Sequence, residues 1–190
     1  MCGILAYLGN KIQNEKFRSA LDLMNHRGPD NTGVECYDNI MLGHKRLSII
    51  DLSSSSNQPF EISDYVIVFN GEIYNYIELK REHSIQTTTD SDTEVLLRMY
   101  IKYGYKCLGY LNGMFSFIIY NKITQDIFVA RDRLGIKPLY VFEKNNEIIF
   151  SSEISSILYL YPSDFDEFGL RQYRKLRMTI KGHTIYKDIT

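Results

Sequence analysis

A series of short apolar runs constrains the fold more than any other feature of this sequence. The runs lie at residues 2–8, 40–43, 65–69, 115–120, 127–130, 139–142 and 147–150. Apolar runs of four to eight residues that end at turn residues are typical of β-strands. The last two runs flank Lys144-Asn145-Asn146, which predicts a hairpin turn. Strands joined by such short connections favour antiparallel sheets.

Two segments have the periodicity of amphipathic helices. The first carries apolar residues at helical spacing and is expected to end near Asn25; these residues are Phe17, Ala20, Leu21 and Met24. The second is expected to begin at Ser91 or Asp92, because Ser91 and Glu94 have the spacing of a capping box. A third, shorter helix is expected over residues 74–82. Helices and antiparallel strands in one chain indicate the α+β class.

Composition excludes several classes of function. The chain has 190 residues, of which 44% are hydrophobic and 24% charged, as expected for one globular domain. Its net charge of −1 gives no sign of the excess positive charge that binds nucleic acids or anionic membranes. Its three cysteines are sparse and form no CxxC pair, which argues against a disulfide framework or a zinc site. The N-terminal residues do not have the basic and apolar pattern of a signal peptide, and no apolar run approaches the length of a membrane span, so we expect neither. We therefore expect a cytoplasmic protein with no nucleic-acid or membrane partner.

From residue 161 the pattern loosens and the chain becomes basic. We expect residues 161–190 to complete the domain of residues 1–160 and to begin a linker. A solvated face is favoured over an anion site for the basic residues, which are Arg171, Arg174, Lys175, Arg177, Lys181 and Lys187.

Cys2 is the first candidate for chemistry. Removal of Met1 would make it the N-terminal residue, with a thiol and a free α-amine on the same residue. The amine can then act as the base that activates the thiol. Position alone does not distinguish this role from that of a buried structural cysteine.

Four further segments carry polar residues that folding alone does not require. They are His26-Arg27-Gly28-Pro29-Asp30, Gly43–Asp51, Phe69–Asn75 and Thr89–Glu94. Each also has a purely structural interpretation. Asn70-Gly71 fits a turn, Asp92 a helix cap and Arg46 a surface ion pair. Arg27 fits a charge at a helix C-terminus.

Taken together and in this order, these segments resemble a known family. The matching motifs are MCGILAYLG, HRGPD, GHKRLSIIDL, FNGEIYN, SDTEV and RDRLGIKPLY. They closely resemble the N-terminal glutaminase domain of asparagine synthetase, a class II (N-terminal nucleophile) glutamine amidotransferase, over roughly residues 2–155. Related amidotransferases that make glucosamine phosphate or phosphoribosylamine typically have Arg-Trp or Arg-Tyr in place of Arg46-Leu47. The resemblance therefore favours the asparagine synthetase branch.

The resemblance implies a catalytic group. Cys2 would attack the side-chain amide of glutamine to give a γ-glutamyl thioester and release ammonia, while its α-amine moves the proton. The Asn70 side chain and the Gly71 N–H would face the developing oxyanion. No metal is implied, and Cys36 and Cys107 match none of the motifs, so we interpret both as structural.

The resemblance also implies a clamp for the head group of L-glutamine. Arg46 would bind the α-carboxylate, and Asp92 would pair with the α-ammonium, with Glu72 nearby. Backbone groups of four loop residues would line the slot; they are Leu47, Ser48, Ile49 and Ile50. Arg27 is expected to brace the site.

The implied fold is a four-layer αββα sandwich, in which two antiparallel sheets pack between helix layers. Asparagine synthetases continue into a synthetase domain, whose Ser-Gly-Gly-x-Asp-Ser loop is absent from these 190 residues. We expect ATP and Mg only in that missing domain, and no cofactor in this chain. The ammonia would pass to a C-terminal synthetase domain or a partner chain for an amidation such as asparagine synthesis, and a homodimer is also considered.

Other interpretations remain open at this point. The ammonia acceptor could be a sugar or a peptide instead of aspartate. The chain could instead be a glutamine-binding or scaffolding domain without turnover, which retention of Met1 would favour. A third alternative is an N-terminal nucleophile amidohydrolase for another amide, which would not require Arg46 and Asp92.

Overall fold

Two antiparallel β-sheets pack face to face in the computed structural model, which describes residues 1–180 and 182–190. In chain order the strands are β1 (Gly3–Leu8), β2 (Asn31–Tyr37), β3 (Ile40–Arg46), β4 (Phe60–Ile62), β5 (Tyr65–Ile73), β6 (Gly113–Asn121), β7 (Ile127–Arg131), β8 (Tyr140–Lys144) and β9 (Glu147–Ser151). The first sheet has the order β2-β3-β1-β9-β8 and the second has the order β4-β5-β6-β7. The helices are α1 (Asn14–Asp22), α2 (Tyr76–Glu82), α3 (Asp92–Tyr103), α4 (Ile154–Leu160) and α5 (Glu167–Leu176).

Strand β1 shows why its sequence is continuously apolar. Ile4 and Ala6 face the second sheet, whereas Leu5 and Tyr7 face α1 and α4, and all four are fully buried. A strand covered on both faces has no solvent-facing positions for polar residues. Burial of both faces therefore accounts for the apolar run.

The same alternation divides the core into three layers. Between the sheets lie Ile4, Ala6, Ile40, Leu42, Val66, Val68, Ile118 and Tyr120. Outside the first sheet, α1 and α4 cover a second cluster, and outside the second sheet α3 covers a third. The layers thus run helix, sheet, sheet, helix, and the predicted αββα arrangement with two antiparallel sheets is confirmed.

Strand parity also places the candidate site. Residues two apart along a strand point to the same face of the sheet. Cys2 is two residues from Ile4, and Asn70 is two residues from Val68, so both side chains face the space between the sheets. Arg46 is four residues from Leu42 in β3, so its side chain faces the same space. Because these residues all lie at one end of the strands, the sandwich brings them together there.

Some elements differ from the sequence-based prediction. Strand β2 has no apolar run, because it lies at the edge of the first sheet and most of its residues are partly or fully exposed. Helices α4 and α5 were also not predicted. Strand β5 continues through Asn70 and Gly71 to Ile73, so the interpretation of Asn70-Gly71 as a plain turn is wrong.

The predicted end of the first helix also needs correction, whereas the predicted start of the second helix, at Ser91 or Asp92, is confirmed. Helix α1 ends at Asp22, and the chain tightens into i→i+3 turns, with the Met24 N–H donating to Leu21 O at 3.0 Å. At the start of α3, the Ser91 hydroxyl accepts the Thr93 N–H at 3.1 Å, as a cap should. The other half of the capping box is missing, because Glu94 instead accepts N–H groups from residues 88 and 89.

The C-terminal segment packs against the first sheet. The N–H of Thr190 donates to Val141 O at 2.9 Å, and the Val141 N–H donates to Thr190 O at 2.8 Å. Among the tail's basic side chains, those of residues 171, 174, 175, 177 and 187 are exposed, and Lys181 lies outside the described residues. In the part of the chain that the structure describes, no helix is long and apolar enough to cross a lipid bilayer.

Candidate functional site

A cleft opens at the end of the sandwich where the two sheets meet the loop after β3. All but one of the residues predicted for the site line it; they are Cys2, Arg46, Leu47, Ile49, Ile50, Asn70, Gly71, Glu72 and Asp92. The exception is Ser48, whose N–H donates to Asp30 Oδ2 at 2.7 Å. Residues that are far apart in sequence therefore share one cleft.

The thiol of Cys2 lies against the start of the loop after β3. The N–H of Leu47 donates to Sγ at 3.4 Å. Burial raises the pKa of the Cys2 thiol, whereas the Leu47 N–H and the nearby Arg46 guanidinium oppose that rise. The thiol is therefore held in a partly desolvated position in which a nearby positive charge favours the thiolate.

Arg27 fixes the main chain of Cys2 rather than its thiol. Its Nε donates to the carbonyl oxygen of Cys2 at 2.9 Å, and its Nη1 lies 3.2 Å from Glu153 Oε1. Because Arg27 bonds at the same time to Cys2 and to the residues after β9, it orients the start of β1. This contact corresponds to a bracing role.

The amide of Asn70 is buried without a hydrogen-bond partner. Its side chain lines the cleft, only 1% of the residue is exposed, and neither Oδ1 nor Nδ2 has a partner among the described residues. A buried polar group without a partner costs about 1–3 kcal/mol, so such groups are rare in folded proteins. An amide donor of this kind, in a cleft that also contains a thiol, is suited to bind a ligand oxygen.

Gly71 is required by the close pairing of β5 with β6. A Cβ atom at this position would lie 2.3 Å from the carbonyl oxygen of Met114 and 2.8 Å from the Cα of Phe115. Any side chain here would force the two strands apart. The glycine thus maintains both the strand pairing and the position of the adjacent Asn70.

Two residues that the sequence did not indicate hold β5 just before Asn70. The Phe69 N–H donates to Gln58 Oε1 at 2.6 Å, and His44 Nε2 lies 3.1 Å from Phe69 O. Burial lowers the pKa of His44 to about 3, so its ring is neutral and donates this bond. Both contacts join distant segments, and no local pattern could have revealed them.

Arg46 is 6% exposed and already bonded to the loop that follows it. Its Nη1 donates to Ser53 O at 2.8 Å and to Asn57 Oδ1 at 2.6 Å, and its Nη2 donates to Asp51 O. A guanidinium has five N–H donors. Two donors therefore remain for a ligand in the cleft, which is the number that arginine uses in a bidentate pair with a carboxylate.

Asp51 holds the same loop in place. It has φ 51°, and its carboxylate accepts the Ser53 N–H at 2.9 Å and the Asp90 N–H at 3.0 Å. Hydrogen bonds from Ser53 and Ser56 keep the pKa of Asp51 well below its usual range. The loop is thus tied to the segment that precedes α3.

Asp92 is a buried acid that faces the cleft. It is 5% exposed, and its Oδ2 accepts the Ile73 N–H at 2.9 Å. Burial raises its pKa to about 6, and the negative charge of Glu72 adds to the rise. Since Ser91 is the helix cap, the interpretation of Asp92 as a cap is wrong. The carboxylate of Asp92 lies where a cationic group would stabilise it.

The remaining cysteines lie outside the cleft. Cys107 is fully buried in the cluster beneath α3, and burial raises its pKa to about 11. Cys36 is exposed on β2, and its sulfur accepts the Asn14 amide at 3.3 Å. Within residues 1–180 and 182–190, no group of three or more His, Cys, Asp or Glu side chains is placed to hold a metal ion.

Comparison with known proteins assigns the family. A family model described as a glutamine amidotransferase domain matches residues 1–190. The chain is a member of this glutamine amidotransferase family. A putative glutamine-hydrolysing asparagine synthetase from Methanocaldococcus jannaschii is 41% identical to this chain. The match covers 99% of this chain and 42% of the relative. Asparagine synthetase 1 (glutamine-hydrolysing) of Bacillus subtilis is 39% identical, over 91% of this chain and 28% of that protein.

These relatives confirm the predicted resemblance to the glutaminase domain of asparagine synthetase. The amidotransferase chain spans less than half the length of both relatives. The glutamine phosphoribosylpyrophosphate amidotransferase of Bacillus subtilis superposes with a TM-score of 0.72 at 21% identity, over 82% of this chain and 43% of that chain. This structural similarity confirms the predicted fold.

Proposed function

We propose that this chain is the glutaminase part of a glutamine-hydrolysing amidotransferase, with Cys2 as its nucleophile once Met1 has been removed. The observation that carries the proposal is the unpartnered Asn70 amide in the cleft that also contains Cys2. A nucleophile and an unused oxyanion donor are two groups that amide hydrolysis requires. Neither a scaffold nor a simple binding module would require them together.

The proposed reaction proceeds through a thioester. Cys2 Sγ attacks the side-chain amide carbon of glutamine, and the Asn70 amide and the Gly71 N–H stabilise the negative oxygen. The C–N bond then breaks, and the thiol proton passes through the Cys2 α-amine to the leaving nitrogen, which departs as ammonia. Water hydrolyses the γ-glutamyl thioester to glutamate and restores the thiol.

The α-amine of Cys2 has a suitable basicity for this step. An ordinary α-amine has a pKa of about 7.7–8.0, so roughly a tenth of it is the neutral base near pH 7. Because only this fraction can act, the activation free energy rises by about 1.4 kcal/mol, which is small compared with the barrier lowering that an enzyme achieves. Removal of Met1 is essential, because an acylated amine cannot act as a base.

Charges in the cleft match the head group of L-glutamine. The two unused donors of Arg46 would bind the α-carboxylate, and Asp92 and Glu72 would face the α-ammonium. The α-ammonium would lower the raised pKa of Asp92 and keep the carboxylate ionised. An ammonium-carrying substrate thereby offsets the cost of burying this acid.

We also propose a destination for the ammonia. The named relatives are asparagine synthetases more than twice the length of the matched region, so a synthetase domain or partner chain would receive the ammonia. ATP and Mg would act there, in a ligase reaction with aspartate as the acceptor. Cytoplasmic location, supported by the sparse cysteines, and homodimerisation belong to this proposal.

The experiment compares Cys2→Ala with the matched control Cys36→Ala, in protein whose intact mass shows the loss of Met1. Glutamate release from glutamine should fall to background in Cys2→Ala and stay unchanged in Cys36→Ala, since Cys36 is exposed on β2 outside the cleft. Both variants should keep the circular-dichroism spectrum of the wild type. Folded, Met1-free wild type that releases no glutamate, alone or with its synthetase partner, would refute the proposal.

A further inference from the structure

Lys137 is a buried lysine in the cleft that folding does not explain. It is 3% exposed and lines the cleft, yet no described carboxylate lies within ion-pair distance of its Nζ. Lys45 is equally buried, at 2% exposure, but its Nζ bonds to Asp22 at 2.6 Å and to Thr32 at 2.7 Å. Buried lysines are normally paired as Lys45 is, so the isolation of Lys137 requires another reason.

The contact that Nζ does make leads to the N-terminus. Lys137 Nζ lies 3.0 Å from Met1 Sδ, and both residues line the cleft together with Cys2. A thioether is only a weak acceptor, so it compensates poorly for burial of an ammonium. Because Met1 is bonded to Cys2, its removal would leave Nζ without this contact, in the same cleft as the new α-amine.

The main chain of Lys137 is held independently of its ammonium. The carboxylate of Asp132 accepts the N–H groups of Ile136 at 2.9 Å and Lys137 at 3.0 Å. Arg131 Nε donates to Lys137 O at 2.7 Å. The RDRLGIK segment therefore builds a loop that presents Lys137 to the cleft, and the charge itself contributes nothing to that loop.

We propose that the Lys137 ammonium acts on Cys2 and favours the deprotonated forms of both its α-amine and its thiol. This inference rests on the proposed function, in which both groups must lose a proton to act. Lys137 would be a positioning residue, since its charge would act through Cys2 rather than on the bond that breaks.

The surrounding charges are consistent with this assignment. Burial raises the pKa of the Cys2 thiol, and the positive charges of the Met1 terminal amine and of Arg46 oppose that rise. The charged groups that act on Cys2 or Lys137 are the Met1 terminal amine, Arg27, Arg46, Glu72, Asp92 and Asp132. Arg27 and Arg46 already bond to backbone oxygens, whereas the ammonium of Lys137 has no such oxygen partner among the residues described.

Thiol alkylation tests the inference without any need for glutamine. The rate of iodoacetamide modification of Cys2 is measured against pH in Met1-free protein carrying Cys36→Ala, with the reacted residue identified by mass spectrometry. Lys137→Met should raise the midpoint pH by about one unit, which slows alkylation roughly tenfold near pH 7. Lys137→Arg should keep the wild-type midpoint, as should the exposed control Lys11→Met.

The outcomes separate the two proposals. Equal midpoints in wild type, Lys137→Met and Lys137→Gln would overturn the role of Lys137, and the second neutral variant makes the result independent of how one variant packs. A shifted midpoint in protein that never hydrolyses glutamine would refute the proposed function and support the electrostatic role. If both proposals hold, the pH profile of kcat/KM shifts in the same direction as the alkylation midpoint.

Discussion

Asn70 and Asn75 belong to one motif, yet their amides have opposite hydrogen-bonding environments. Both polar atoms of the Asn70 side chain are buried and lack a partner within the described part of the chain. Asn75 donates to Tyr110 O at 3.0 Å and accepts the Asn112 N–H at 3.0 Å. The first amide is thus available to a ligand, and the second holds the loop before β6.

This contrast gives a prediction at the scale of the residue. Asn70→Ala should lower kcat for glutamine hydrolysis by about 10²–10³, because one oxyanion donor is lost. The melting temperature should change little, since no hydrogen bond of the free protein is broken. Steady-state kinetics and thermal unfolding measure the two effects.

Asn75→Ala is the matched control with the reverse expectation. It should keep kcat and lose about 1 kcal/mol of unfolding free energy, because two satisfied hydrogen bonds are removed. A large loss of stability in Asn70→Ala with full activity would contradict the assignment of Asn70 to the oxyanion.

Strand β5 is the element on which the site depends. It carries Asn70 and Gly71 in register with Ser116 and Phe115 of β6. Its sequence run of residues 65–69 predicted a strand that ends before Asn70. The extension could not be predicted from the apolar pattern, because polar residues in the cleft interrupt that pattern while the hydrogen-bonded ladder continues.

At this scale we predict that Gly71→Ala separates the two strands. The added methyl group would lie 2.3 Å from Met114 O, so β5 must shift, at a cost of about 1–3 kcal/mol in unfolding free energy. Glutaminase activity should fall by more than the loss of folded protein explains, because Asn70 moves with the strand. Denaturant unfolding and activity per folded molecule measure these effects.

Gly109→Ala provides the control, because its added Cβ would meet nothing within 4 Å. It should leave both measurements near those of the wild type. Equal stability of the two variants would contradict the close approach of β5 and β6.

In the whole molecule, His44 links the two sheets. It belongs to β3 of the first sheet, is fully buried, and bonds to Phe69 O in β5 of the second sheet. Because burial lowers its pKa to about 3, the unfolded chain binds a proton more readily than the folded protein below pH 6.5. Stability should therefore fall as the pH drops from about 6.5 towards 3.

His44→Gln should remove this part of the acid sensitivity. Between pH 8 and pH 5, the wild type should lose about 2 kcal/mol more unfolding free energy than the variant. The comparison cancels other titrations, including that of Asp92, which acts in the opposite direction because its pKa is raised. Urea unfolding at both pH values measures the difference, and an identical pH dependence in the two proteins would contradict the neutral, buried state of His44.

The sequence by itself determined the apolar strands, the face of the sheet on which each of their residues lies, and the motifs that indicate a glutaminase. Cys2, Asn70 and Arg46 could be found in this way, because each belongs to a motif with a recognisable order. Strand alternation is a local property of the chain, so it needs no knowledge of distant contacts.

Only the tertiary structure decided which distant groups meet at the cleft. Gln58 and His44 hold Phe69, Arg27 holds Cys2, and Lys137 reaches the N-terminus from the loop after β7. These contacts depend on how two sheets pack and on where each loop returns. The physical reason is that a hydrogen bond or a charge acts over a few ångströms in space, whatever the separation of its partners along the chain.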